Sequence, residues 1–257
     1  MSSSIETSGE RYRGSIDARA KPQPLARGIV VALIGPDGVG KSSQTARLTS
    51  LFRQDFNCTA VYLGSGDGGW RLRKMAKRQF RKWRGGVPQA GSEAKDRKTQ
   101  KEYGTNHSVW TALSGLVAAF ERYVSLRRAL RLARSGSVVI CDRWPQNILP
   151  GLFDGPLRLD PEAPWIVQQM SRFERSVYRR MEMYRPDVTI HLVSDFDVSN
   201  ARKPGDRTRA DFNQRLALMQ EMRRLDPTVV IVDASRSFDE VTKDLQGQII
   251  GALEAAV

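Results

Sequence analysis

The sequence predicts a three-layer α/β/α fold, a parallel five-stranded sheet flanked by helices, and three observations carry that prediction. Five short runs rich in aliphatic and β-branched residues recur along the chain: GIVVALIG (28–35), TAVYLG (59–64), SVVICD (137–142), DVTIHLV (187–193) and TVVIVDA (228–234). Stretches with helical spacing separate them, and strands so continuously apolar are buried on both faces, which helix-covered parallel sheets provide. A glycine-rich turn closes the first run at the carboxyl edge of the sheet, where open α/β sheets bind ligands.

The 257 residues, 40% of them hydrophobic, suffice for one substantial core, so one domain spanning 28–257 is expected behind a polar, mobile tail at 1–27 that ends in Lys-Pro-Gln-Pro. Lys and Arg number 41 against 28 Asp and Glu, a net charge of +13, so the partners are anionic. The excess is local: Arg71 to Lys101 holds 12 basic residues against Glu93 and Asp96. The two cysteines, Cys58 and Cys141, lie beside strand-like runs and read as buried thiols in a reducing, cytoplasmic setting. No run reaches the ~18 apolar residues that span a bilayer, so no transmembrane segment is expected.

Between the second and third strands the chain makes a long excursion. It opens with a helical or loop insertion over about 64–106, in which Leu72, Met75, Ala76, Phe80 and Trp83 recur at helical spacing and Arg71, Lys74, Lys77, Arg78, Arg81 and Lys82 fill the opposite arc. This basic segment, 70–84, is either a solvated helix face or a surface for an anionic acceptor or an acidic membrane or nucleic-acid partner. A helix over about 108–134 follows, whose stripe Trp110, Leu113, Val117, Phe120, Val124 and Leu130 is expected to face the core.

Three elements carry chemistry. GPDGVGKS (35–42) follows a strand and opens the helix SSQTARLTSLF, giving the G-x-x-x-x-G-K-S pattern of a P-loop in its required context. Gly35, Gly38 and Gly40 let the backbone curl so that its N–H groups converge on phosphate oxygens, and the loop Gly35, Pro36, Asp37, Gly38, Val39, Gly40, Lys41, Ser42 and Ser43 is the expected ATP cradle. Lys41 would neutralise the β- and γ-phosphates and Ser42 would offer its hydroxyl to Mg²⁺. SVVICDRW (137–144) ends in Asp142, a carboxylate placed to orient Mg²⁺ or its water, and Arg143, which can hold a phosphoryl oxygen; the alternative is a capping Asp beside a solvated Arg. ARKPGDRTRADFNQRL (201–216) places a Pro-Gly break among Arg202, Lys203, Arg207 and Arg209 and reads as a lid, about 201–210, or as a solvated loop.

With these elements in this order, residues 28 to 257 resemble the thymidylate kinase family of P-loop nucleoside monophosphate kinases. The resemblance rests on GPDGVGKSSQ (35–44), AAFERY (118–123), CDRW (141–144), PDVTIHL (186–192) and VDASRSFDEV (232–241). It implies a kinase with ATP and Mg²⁺ as cofactors and a homodimer formed through helices outside the sheet. It also implies that Asp37 approaches the acceptor's sugar hydroxyl, that Arg122 meets the acceptor phosphate, that Arg143 acts at the transfer point and that the catalytic cation comes from the lid, foremost Arg202 and Arg207.

The departures fall on the acceptor side. GSGDGGW (64–70) stands where the family carries Glu-Pro-Gly-Gly, and WPQNILPGLFDGPLRLD (144–160) replaces the segment containing Ala-Tyr-Gln. Three readings follow: a kinase of dTMP or a similar nucleoside monophosphate; a divergent kinase of a sugar, glycan or lipid-linked acceptor; and an ATP-switch NTPase whose basic helix binds nucleic acid or membrane.

Overall fold

The computed structural model describes residues 25–64, 108–148, 150–151, 154–204, 208–226 and 228–256. The basic segment 70–84, the stretch 85–106 and Arg207 lie outside the described residues. The elements are β1 (Val30–Ile34), α1 (Lys41–Phe52), β2 (Cys58–Tyr62), α2 (Val109–Arg134), β3 (Val138–Asp142), α3 (Trp165–Glu182), β4 (Val188–Val193), α4 (Phe196–Arg202), α5 (Arg209–Leu225), β5 (Val230–Asp233) and α6 (Phe238–Ala256).

All five strands pair in parallel in the order β2-β3-β1-β4-β5. Every residue of β1 and of β3 is buried, as their uninterrupted apolar runs demand. One face of the sheet packs Val31, Leu33, Ile140 and Ile190 against Leu48 of α1 and Leu245 and Ile249 of α6. The other packs Val30, Ala32, Val139 and Cys141 against Ala119, Leu126 and Ala129 of α2 and Tyr178 and Met181 of α3. Cys58 and Cys141 are buried free thiols, and burial pushes both above the usual thiol range.

The core begins slightly before the apolar run does. Leu25 packs against the first cluster and its amide donates to the carbonyl of Gly136, while Asp187 accepts from Arg27 at 2.8 Å and from the amide of Val30 at 2.8 Å, tying the chain entering β1 to the residue before β4.

One expectation is reversed over most of its length. Leu130 packs against the core, but Trp110, Leu113, Phe120 and Val124 do not face it: Phe120 is 63% exposed and Trp110 61%. The buried stripe of α2 is instead Ala112, Gly115, Ala119, Arg122, Leu126, Ala129 and Ala133. The helix carries two apolar arcs, and the one with small side chains faces the sheet and α3, where it packs closely; a Cβ on Gly115 would lie 3.1 Å from the carboxylate of Glu174 of α3 and 2.5 Å from Leu157. The bulky arc is left outside with Phe173 of α3, and its Phe120 and Val124 line an apolar groove with Leu116, Val117, Phe173 and Val177.

Candidate functional site

The carboxyl ends of β1 and β3 lie side by side, with Leu33 opposite Asp142, so the glycine loop that follows β1 and the Asp-Arg pair that ends β3 meet by strand register alone. The loop itself is shaped by Gly38 and Gly40, whose φ angles of 91° and 93° are those glycine adopts without strain. Gly40 enters α1 in this left-handed conformation, and no side chain caps the helix and no acid occupies its first turn, so its leading N–H groups are left for an anion. No atom lies within 4 Å of where a Cβ on Gly40 would be, which keeps the cradle open. Val39 is buried in the core and anchors the loop from below.

Lys41 is 5% exposed, its ammonium donates to the carbonyl of Pro36 at 2.6 Å, and Asp37 lies 3.7 Å away. Burial lowers its pKa from 10.5 to about 8, against the pull of Asp37. Ser42 donates its hydroxyl to Oδ2 of Asp142 at 2.5 Å, and Oδ1 of the same buried carboxylate has no hydrogen-bond partner. Oδ1 and the Ser42 hydroxyl therefore fit a hard divalent cation shared with phosphate oxygens. Among the described residues no cluster of three His, Cys, Asp or Glu side chains is placed to hold a metal by itself.

Arg143 adopts a φ of 76° immediately after β3. Its guanidinium donates to Asp37 at 2.5 Å and to Asp154 at 3.0 Å. Burial alone would lower its pKa, but Asp154 and Asp37 outweigh it and hold the charge firmly. Arg122 is 3% exposed, and it donates from Nε to the carbonyl of Leu63 at 2.6 Å, from Nη1 to the carbonyl of Asp154 at 2.7 Å and to the Tyr178 hydroxyl, and from Nη2 to the Asp154 carboxylate at 3.2 Å. The structure thus places Arg122 between the end of β2, α3 and the turn at Asp154, with its guanidinium engaged by the protein. Close by, burial raises Glu174 to about 7, against the amide of Leu157 and the charge of Arg122.

A cleft of about 500 Å³ runs from the glycine loop to the end of β5; Arg143, Arg202 and Lys203 line it beside the loop, and Ala234, Arg236, Phe238 and Val241 line its far wall. That far wall is the segment whose sequence resembles a loop flanking adenine. Arg202 donates to the carbonyl of Ala234 at 2.9 Å. Arg209 pairs with Asp197 at 2.6 Å and stacks on Phe196, 4.6 Å from its ring centre, outside the cleft lining.

Two residues escaped the reading of the sequence. Gln44 donates to the carbonyl of Phe238 at 3.0 Å and accepts from Thr242 at 2.8 Å, joining α1 to α6. Asp154 bridges Arg122 and Arg143; its signal was the Asp-Gly turn in GLFDGP, which marks a bend but not an ion pair.

Sheet order, glycine loop and strand-end Asp-Arg together define the fold of a P-loop kinase. No family model matches the chain. It is 28% identical over 242 residues, 90% of this chain and 91% of the relative, to YghR, an uncharacterized ATP-binding protein of Escherichia coli strain K12. It is 27% identical over 221 residues, 82% of this chain and 88% of the relative, to YghS, another uncharacterized ATP-binding protein of that strain. Among solved structures it is similar to the thymidylate kinase of Candida albicans, with a TM-score of 0.50 and 19% identity, covering 88% of this chain and 92% of that one.

Proposed function

We propose that the chain is an ATP-dependent phosphotransferase that passes the γ-phosphoryl group of Mg²⁺-bound ATP to a small-molecule acceptor. The observation that carries this reading is the Ser42–Asp142 pair at the mouth of the glycine loop, with one buried carboxylate oxygen left unpartnered where a phosphate-bound cation fits. ATP binding is further supported by the similarity to two bacterial proteins described as ATP-binding. Bound Mg²⁺ would draw charge from the β- and γ-phosphates as the transferring group loosens from ADP.

The chain's own residues divide the remaining work. The loop amides and the start of α1 hold the phosphate chain, and Lys41 exchanges the Pro36 carbonyl for phosphate oxygens. Arg202 and Lys203 stand on the cleft wall, from which a cation can reach a developing negative charge. Asp37, held by Arg143, faces the acceptor side and is placed to accept a hydrogen bond from a hydroxyl.

The family resemblance points to dTMP or a similar nucleoside monophosphate as acceptor. The enclosure of Arg122 by Asp154 and Tyr178 favours the second reading, a hydroxyl of a sugar, glycan or lipid-linked compound. Among the described residues no helix is long and apolar enough to cross a membrane.

Purified protein should release ADP only with Mg²⁺ and with one class of acceptor, and Lys41→Ala or Asp142→Ala should lower that turnover at least about a hundredfold while circular dichroism stays native. Near-normal turnover in either variant removes the proposed site. ATP turnover stimulated instead by DNA, RNA or anionic vesicles, with no acceptor phosphorylated, would replace this function with that of an ATP switch.

A further inference from the structure

Arg122 and Arg143 are the cations that the family resemblance would offer to a phosphorylated acceptor, and one carboxylate already joins them. Oδ1 of Asp154 accepts from Arg122 at 3.2 Å and Oδ2 accepts from Arg143 at 3.0 Å. The two guanidiniums also donate to Asp37, to the carbonyls of Leu63 and Asp154, and to the Tyr178 hydroxyl. Asp154 is thus shared by the two guanidiniums, while Asp37 is shared by Arg143 and the ammonium of Lys41. The pairing is enclosed, not a solvated surface contact: the side chain of Asp154 is 7% exposed and that of Arg122 2%. Among the described residues the two non-glycine positions with positive φ are Arg143, at 76°, and Asp154, at 63°, so the backbone is bent out of its ordinary range on both sides of this pair.

We propose that Asp154 fills with its own carboxylate the anion position between Arg122 and Arg143, and so reserves the acceptor side for a hydroxyl compound that carries no phosphate there, of the sugar, glycan or lipid-alcohol class. The inference rests on the phosphotransferase reading above. A phosphomonoester entering between the two arginines must displace Asp154, which would strand a buried carboxylate beside a dianion, whereas an uncharged alcohol meets no such opposition. In the reaction the acceptor oxygen forms a bond to the γ-phosphorus as the bond from that phosphorus to the β,γ-bridging oxygen breaks. ADP leaves, the hydroxyl proton goes to water, and the product is a phosphomonoester of the alcohol.

The test is calorimetric titration of the full chain, loaded with Mg²⁺ and a non-hydrolysable ATP analogue, with dTMP and with glucose 6-phosphate, comparing the natural chain with Asp154→Asn and Asp154→Ser. The natural chain should show no saturable binding of either probe below the millimolar range, and both variants should bind at least one of them about tenfold or more tightly. Sub-millimolar binding of either probe by the natural chain overturns the proposal, as does a natively folded variant that binds no better. Should both substitutions unfold the chain, the natural chain decides alone: a rise in melting temperature with dTMP that thymidine does not produce refutes the proposal, and equal shifts sustain it. Binding of the ATP analogue is read in the same experiments, so its loss would sink the phosphotransferase reading without touching Asp154, and tight dTMP binding would do the reverse.

Discussion

Replacing Lys41 by Met should stabilise the folded protein in the absence of nucleotide while abolishing turnover. The ammonium is charged in a site 5% exposed, and its pKa falls from 10.5 to about 8. A pKa change of one corresponds to about 1.4 kcal/mol, so the folded chain gives up roughly 3 kcal/mol to keep Lys41 protonated at neutral pH. Methionine fills similar space without the charge. It forgoes the hydrogen bond to Pro36, worth about 1 kcal/mol, which leaves a net gain of roughly 2 kcal/mol. For a chain of this length that is a rise in melting temperature of about 4–8 °C. The sign of the pH dependence follows: below pH 8 folded and unfolded chains both hold the proton and the penalty is complete. Between about 8 and 10.5 the folded chain releases it first, the penalty fades, and the natural protein gains on the variant. Urea denaturation of both proteins from pH 7 to 10, without nucleotide, measures this directly. Lower stability of Lys41→Met at neutral pH, or a gap that does not close as pH rises, would refute the reasoning.

Two further outcomes follow from the same kind of accounting. His191 of β4 is 1% exposed, neither ring nitrogen has a hydrogen-bond partner, and burial lowers its pKa to about 4; the unfolded chain therefore takes up a proton first, and stability should be lost as pH falls from about 6.5 toward 4. That contribution is roughly 2 kcal/mol between pH 7.5 and 5, and His191→Leu should remove it from the difference in denaturation midpoints; an unchanged difference would exclude His191 as its source. The homodimer implied by the family resemblance should bury the exposed arc of α2 and α3, so Phe120→Glu should lower the sedimentation coefficient of a dimer to that of a monomer, and a natural chain that sediments as a monomer would dispose of it.

The sheet was legible because each strand is an almost unbroken apolar run; β1 and β3 are buried on both faces as that pattern requires, whereas the edge strands β2 and β5 leave Ala60 and Ile231 exposed. The donor half of the site was legible for a different reason. Gly38, Gly40, Lys41 and Ser42 are neighbours in sequence, so their spacing encodes their geometry. The cluster around Arg122 and Arg143 is assembled from the residue after β2, α2, α3 and the turn at Asp154, and no local pattern reports contacts across 11 or 32 residues such as those Asp154 makes to Arg143 and Arg122. The face of α2 could not be chosen from helical spacing, because two apolar arcs share the helix. Where a helix must approach a sheet and a second helix together, alanine and glycine win that position, and the periodicity of Trp110, Leu113, Val117 and Phe120 describes an outer surface instead.

Gln44 connects two stretches of chain that are 194 and 198 residues apart in sequence, receiving a hydrogen bond from Thr242 while donating to Phe238. The wall at Phe238 and Val241 and the helix that begins at Lys41 are therefore fastened to each other before any ligand arrives. The ordering entropy of that part of the cleft is met when the protein folds, so a ligand's binding energy need not be spent on assembling it. A wall fixed in this way tolerates change elsewhere: the segment after β3 can diverge in sequence without disturbing the part of the cleft that the glycine loop and the start of α6 line.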